Sequence, residues 1–138
     1  MSKITLRQLL KLREPGFTEE IGIEFTKAEN SCAEGRILIE KRHLNPSGTV
    51  HGGCIFSLMD ALAGVAASSG GNRVATSSSN VLFLNAAADT NYIKAFAKPI
   101  KLGKTLQVFD VEVLDDADRL IAKANITVFI LGSIDGDI

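Results

Sequence analysis

Tryptophan is absent, cysteine occurs twice and proline three times in this chain of 138 residues, and the shortage of cysteine removes two classes of protein. Cys32 and Cys54 stand neither in a Cys-X-X-Cys pair nor near a histidine at ligand spacing. They predict neither a disulfide scaffold nor a metal site, and they fit a reducing, cytoplasmic setting. Positive charge is not in surplus: 15 Lys and Arg face 16 Asp and Glu, for a net charge of -1. A nucleic-acid role is therefore disfavoured. Long hydrophobic runs are also missing, since the weakly polar stretch 43–72 is broken by Asn45, Pro46, Gly48, His51 and Asp60. Its apolar pieces fall short of the ~20 residues that a membrane span needs. Residues 1–13 interleave charges with leucines, which a secretory hydrophobic region does not do. The expectation is a soluble cytoplasmic protein with no membrane partner, folded as one domain over 1–138.

What is present is periodicity. Leu6, Leu9, Leu10 and Leu12 recur at helical spacing before Glu14-Pro15-Gly16, predicting a short helix over about 5–13. Apolar and polar residues alternate over 21–27 and 35–41, predicting two strands joined through Asn30-Ser31. Residues 52–69 are rich in Ala, Leu and Met and close on Gly70-Gly71, predicting the main helix. Four further strands are expected at 74–84, 92–97, 106–114 and 120–131, with turns at 88–89, 101–104 and 115–118. Residues 132–138 are expected to fray. About six strands at hairpin spacing with one main helix place the chain in the α+β class.

The anomaly is charge placement. Between Arg42 and Arg73 the one formal charge is Asp60, in the middle of the main helix among Leu58, Met59, Ala61 and Leu62. A helix with no polar face must be wrapped on most sides, as by a curling sheet, and Ala61, Gly64, Ala67 and Ser68 let another element come close. A carboxylate there is costly unless it is hydrogen-bonded, paired or used. Two readings stand: a structural Asp satisfied by neighbours, or a catalytic one. His51-Gly52-Gly53 begins the same helix, and its unpaired N–H groups suit a developing oxyanion. Eight residues of helix separate Gly52 from Asp60, ~12 Å. Acting on one carbonyl therefore requires the glycine of a second subunit, with two helices side by side and antiparallel.

The segment Asn45-Pro46-Ser47-Gly48-Thr49-Val50-His51-Gly52-Gly53, continuing to Asp60, resembles the signature of hotdog-fold acyl-CoA thioesterases, and within them the phenylacetate-pathway-like (PaaI-like) subgroup. The resemblance extends over about 17–131. It implies a curved antiparallel sheet wrapped around one long helix, homodimers commonly paired into homotetramers, and sites shared across the dimer interface. It further implies hydrolysis of an acyl- or aryl-acyl-CoA to the acid and free coenzyme A. No metal or organic cofactor is implied, coenzyme A being part of the substrate. Carried onto matching positions, Asp60 is the nucleophile or general base, and Gly52 donates its N–H to the thioester oxygen. Asn45 and His51 orient the thioester or water, and Thr76 positions water.

For His51 and Asn45 a turn-holding role stands beside the substrate role. Gly53, Ser77, Phe56 and Phe83 are candidates for contact with substrate, the two phenylalanines as walls of an acyl pocket. Arg73, Lys98, Lys101 and Lys104 are candidates for the coenzyme A phosphates, against the alternative of plain solvated cations. Cys54 is assigned packing. Two other functions stay open: a non-catalytic acyl-CoA-binding module, and a hotdog hydratase or dehydratase acting on an acyl thioester.

Overall fold

The computed structural model describes residues 4–134. Two short helices, α1 (Leu6–Lys11) and α2 (Phe17–Glu20), precede strands β1 (Ile23–Glu29) and β2 (Cys32–Leu38). A 3-10 turn at Lys41–His43 leads into the long helix α3 (Gly52–Ser69), followed by β3 (Asn72–Phe83), β4 (Tyr92–Leu102), β5 (Leu106–Asp115) and β6 (Leu120–Ser133). The strands form one sheet in the order β1-β2-β4-β5-β6-β3, every pairing antiparallel. The sheet curls around α3, which touches all six strands. This is the α+β hotdog fold.

The inner face of the sheet explains how a helix fits inside it. Ala33, Ala95, Ala97, Ala122 and Ala124 are buried there, small enough to let Leu58, Met59 and Leu62 of α3 come close, and all three are fully buried. The approach is tightest at Gly35, where a Cβ would lie 2.7 Å from the Leu62 side chain and 2.8 Å from the Glu24 carbonyl. Any side chain there overpacks the core, at a cost of ~1–3 kcal/mol.

Several boundaries differ from the sequence-based expectation, each for a local reason. Asn30 and Ser31 both take positive φ, 53° and 61°, so the β1–β2 hairpin turns on two residues, and β2 starts at Cys32 rather than at 35. The strand expected over 21–27 begins later because Phe17–Glu20 is a helical turn, capped where the N–H of the preceding Gly16 donates to Glu19 Oε1 (2.8 Å). β4 runs five residues past 97 because a register shift between Pro99 and Lys101 accommodates the proline, which has no N–H for the ladder. Gly132 and Ser133, expected to fray, pair with Arg73 and Asn72. The rest of that expectation, over 135–138, lies outside the described residues.

The wrapping of α3 is incomplete within one chain. Leu58, Met59, Leu62 and Ala66 are buried, whereas Phe56, Ser57, Asp60, Ala61, Gly64 and Ser68 are half-exposed and Gly53 is exposed. Asp60 is thus not a buried charge in a single subunit. By length and composition α3 could cross a membrane, and half of that window is buried inside the domain.

The two sheet edges differ. β1 carries Glu24, Lys27 and Glu29 and a register shift, devices that blunt an edge. β3 has no charged residue from Val74 to Phe83, and Leu82, Phe83 and Leu84 beside it are 53%, 56% and 47% exposed. Its edge is open.

The β5–β6 hairpin is held by Asp115, whose Oδ1 accepts the Ala117 and Arg119 N–H groups (3.0 and 2.9 Å) and whose Oδ2 accepts from Arg119 Nε (3.2 Å). Burial alone would raise this carboxyl, but the two backbone donors and the Arg119 guanidinium outweigh it and hold it below the ordinary carboxylate range. The stabilisation is therefore present at neutral pH and lost as pH falls through the lowered value. Asp115→Ala should cost ~1–3 kcal/mol in urea unfolding at pH 7. The gap between native and variant should narrow below about pH 4.

Candidate active site

The start of α3 is organised by two histidines. His43 is buried; its Nδ1 accepts the Glu40 N–H (2.9 Å) and its Nε2 meets the Ile21 carbonyl (2.7 Å). Its own carbonyl accepts the His51 N–H (2.8 Å), which sets where the helix begins. His51 then caps the helix, Nδ1 accepting from the Gly53 N–H (2.8 Å). An N–H can only donate, so Nδ1 carries no proton and the neutral ring presents Nε2–H as a donor. Cys54 and Ile55 donate to the His51 carbonyl (2.9 and 3.1 Å). Of the first four α3 amides, only the Gly52 N–H is left without a partner among the described residues.

Asn45 lies one turn upstream and shapes the approach. Its Oδ1 accepts the Ser47 and Thr49 N–H groups (3.0 and 3.2 Å), and its Nδ2 donates to Thr49 Oγ1 (2.8 Å). In this chain its amide is engaged in the turn.

Among the described residues Asp60 has one partner, Thr76, whose hydroxyl donates to Oδ1 (2.7 Å). A local irregularity in β3 accompanies this contact: the pairing with β6 shifts between Thr76 and Ser78, leaving Ser77 as an extra residue. Bulges of this kind re-aim side chains beside sites. The hydrogen bond fixes one carboxylate oxygen and leaves Oδ2 open on the half-exposed face of α3.

Two pockets flank the first turn of α3. One of about 280 Å³ is lined by Val50, Gly52, Ile55, Phe83, Leu84, Asn85, Ala86 and Ala87. Phe83 lies over Gly52, since a Cβ there would meet the ring at 3.4 Å. The other, of about 180 Å³, is lined by residues that include Phe17, Arg42, His51, Gly53, Cys54 and Ser57. Gly52 and Phe83 are thus brought together, and so are His51 and Gly53. Phe56, on the half-exposed side of α3, lines neither pocket.

The four candidate cations are not gathered at Gly52 within one chain. Arg73 lies against Gly132, ten residues along β3 from Phe83, ~33 Å of strand. Lys98 lines a separate groove with Phe96, Asp110 and Glu112. Lys101 is level with Ser78 through Val108 and Thr127, three strands away, ~14 Å. Lys104 sits in the turn after β4.

Sequence reasoning missed Val50, Ile55, Leu84, Asn85, Ala86 and Ala87 as pocket walls. Val50 belongs to the quoted signature, but residues 84–87 carry no periodic signal; they fold back because the Leu84 and Asn85 N–H groups bond the Ile121 carbonyl (2.8 and 3.2 Å). No group of three or more His, Cys, Asp or Glu stands at metal-holding distance among the described residues.

Cys54 is close to the glycines, and burial pushes its thiol up to about 11, against a smaller lowering by Arg42. From the ordinary 9.0 this is two units, so the thiolate fraction near neutrality should be ~100-fold below that of a free thiol. Iodoacetamide at pH 7.5 should modify Cys54 correspondingly slowly, as read by mass spectrometry of the peptide.

A sheet curled around one long helix, with a free amide at the start of that helix and a carboxylate on its open face, defines a hotdog-fold enzyme. The thioesterase superfamily model matches residues 47–122, more than half of the chain. The chain belongs to that superfamily and is a thioester hydrolase. A relative from Archaeoglobus fulgidus, bearing an esterase name, is 33% identical over 111 residues, covering 80% of this chain and 72% of its own. The 1,4-dihydroxy-2-naphthoyl-CoA hydrolase of Escherichia coli is 26% identical over 132 residues, covering 94% and 96%. A Streptococcus mutans protein solved bound to acetyl CoA superposes with a TM-score of 0.78 at 26% identity, covering 81% of this chain and 90% of that one.

Proposed function

We propose that the protein hydrolyses acyl-CoA thioesters at sites shared between two subunits, with Asp60 of one acting against Gly52 of the other. The observation that carries this reading is the pair left unsatisfied in one chain: the free Gly52 N–H and the single-partnered Asp60 carboxylate, ~12 Å apart on one helix. Neither reaches the other's substrate atom in a monomer. Pairing the open β3 edge with its symmetry mate would lay two α3 helices antiparallel and bring each Gly52 toward the partner's carboxylate. The small residues Gly53, Ser57, Ala61, Gly64 and Ser68 on the open face of α3 leave room for that approach. Exposed Leu106, Phe129 and Leu131 support pairing of such dimers into a tetramer.

In this arrangement the Gly52 N–H receives the thioester oxygen as it gains charge, and the His51 Nε2–H orients the carbonyl or the water. Thr76 fixes Asp60 so that Oδ2 faces the attack. Acting as a base, Asp60 removes a proton as water oxygen bonds to the acyl carbon. Collapse of the tetrahedral intermediate breaks the C–S bond, and the sulfur departs as thiolate and takes up the proton. Acting as a nucleophile, Asp60 bonds to the acyl carbon, the C–S bond breaks with the sulfur leaving as thiolate, and water then opens the resulting mixed anhydride to the acid and free Asp60. Hydrolysis in ¹⁸O-water under single-turnover conditions tests the nucleophile: label in Asp60 means an anhydride opened at the Asp60 carbonyl, whereas label in the product acid alone is the outcome both of a base and of an anhydride opened at the acyl carbonyl. Coenzyme A is carried as part of the substrate, its phosphates met by Arg73, Lys98, Lys101 or Lys104 as the dimer brings them round. Release of free thiol from a panel of acyl-CoAs tests the proposal; binding without turnover across that panel would replace it with an acyl-CoA-binding module.

A further inference from the structure

We infer that two subunits join along β3 in one particular register, with Asn80 facing the partner's Asn80 across the two-fold axis, and that the extra residue Ser77 is what permits it. This register rests on the proposed shared site and specifies the surface that assembles it. Three observations carry it. Phe83 lies over Gly52 and Thr76 is bonded to Asp60, so one β3 residue marks each half of the shared site. Both face the helix: Phe83 pairs with Ala122 and Thr76 with Val128, which are fully buried on the inner side of the sheet. Ser79 and Val81 pair with the buried Ile126 and Ala124 and share that face, whereas the exposed Asn80 pairs with the exposed Asn125 on the outer one.

A two-fold axis through a joined sheet keeps every residue on the same face in both chains, so inner residues pair only with inner residues. Thr76 and Phe83 are seven positions apart, and strict alternation would put them on opposite faces. The shift between Thr76 and Ser78 returns Thr76 to the inner face, as a bulge does. Along that face the order is then Phe83, Val81, Ser79, Thr76 and Val74. Setting Gly52 against the partner's Asp60 sets Phe83 against the partner's Thr76 and Val81 against the partner's Ser79, and the axis falls between them, on Asn80. An axis at Ser79 would set Phe83 against the partner's Val74, and an axis at Val81 would set it against the partner's Ser79. Either slides one strand by two residues, ~7 Å, and parts the amide from the carboxylate. Asn80 also suits the axis chemically. Its amide both donates and accepts, so two facing copies complement each other as two like charges cannot. Asn80 and Asn125 of both chains then cross the outer face of the joined sheet in one uncharged row.

The experiment introduces Ser79→Cys, Asn80→Cys and Val81→Cys one at a time, oxidises each protein with copper phenanthroline and identifies linked peptides by mass spectrometry. Residues that face each other across an antiparallel pair have Cα atoms ~4.5–5.5 Å apart, within disulfide reach, whereas a slip of two residues exceeds the ~7 Å limit. Asn80→Cys should link to its own copy about tenfold faster or more than the other two. The linked dimer should keep native kcat on acyl-CoA, since the bond lies on the outer face. Faster linking at 79 or 81, or a linked Asn80→Cys dimer that is active only after reduction, overturns the inference. If no position links, co-expressed Asn80→Asp and Asn80→Lys chains decide by native mass spectrometry: mixed dimers well above the half that chance assortment gives support the register, and a half overturns it. Mixed dimers of Gly52→Val and Asp60→Asn chains keep the two failures apart. Activity recovered in them with the register overturned leaves the shared site standing, and no recovery removes the shared site itself.

Discussion

Asp60→Asn is expected to lower kcat for thioester hydrolysis by about 10³-fold or more, because it removes the group we propose as base or nucleophile and little else. The substitution keeps the side chain's shape, and its Oδ1 still accepts the Thr76 hydroxyl that meets Asp60 at 2.7 Å. KM should move little. Stability should hold or rise, since a charge half-exposed on an otherwise apolar helix is exchanged for a neutral amide. Thr76→Val is the companion. It keeps the carboxylate but frees its rotamer, so its loss should be smaller, about tenfold and in kcat rather than KM, as for a positioning residue. The comparison is made by continuous free-thiol detection on one good substrate, with the oligomer checked by light scattering. Retention of more than a tenth of native kcat in Asp60→Asn would remove Asp60 from the chemistry.

How much of this was legible in the sequence depends on how local the cause is. The main helix was readable because its apolar composition, its His51-Gly52-Gly53 start and its Gly70-Gly71 end are set by adjacent residues. Asp60 stood out through the absence of other charge from 43 to 72, a property of the string itself. Strand edges were less readable: the positive φ of Asn30 and Ser31 moved β2 by three residues, and the shift at Pro99 lengthened β4, both matters of backbone geometry that alternation does not encode. Thr76 could be marked only as one hydroxyl in a run of four. Its choice over Ser77, Ser78 and Ser79 follows from the shift in β3 pairing and from contact with a helix residue sixteen positions earlier. The pocket walls at 84–87 depend on hydrogen bonds to Ile121, a long-range register. Three of the four cations show the opposite failure: Lys98, Lys101 and Lys104 cluster in sequence, yet Lys98 pairs with Asp110 and Lys101 with Val108 along β5, and Lys104 lies in the turn beyond β4.

Mixed dimers of two inactive variants should recover activity. Gly52→Val crowds the free amide against Phe83, whose ring already lies 3.4 Å from a Cβ at that position, and Asp60→Asn removes the carboxylate; each homodimer has two broken sites. A dimer made of one chain of each kind has a different composition. One of its sites combines the intact Gly52 of the Asp60→Asn chain with the intact Asp60 of the Gly52→Val chain, while the other site carries both lesions. Random assortment makes half of the dimers mixed, each with one of two sites restored, so about a quarter of native activity should return. Selecting mixed dimers with two different affinity tags should raise that to about a half. If each chain carried its own complete site, no mixture would exceed the separate variants. The ~12 Å of helix between Gly52 and Asp60 argues against that outcome, as does the uncharged β3 edge left open along one side of the sheet. The recovered fraction thus measures at once whether the subunits pair and whether catalysis needs both.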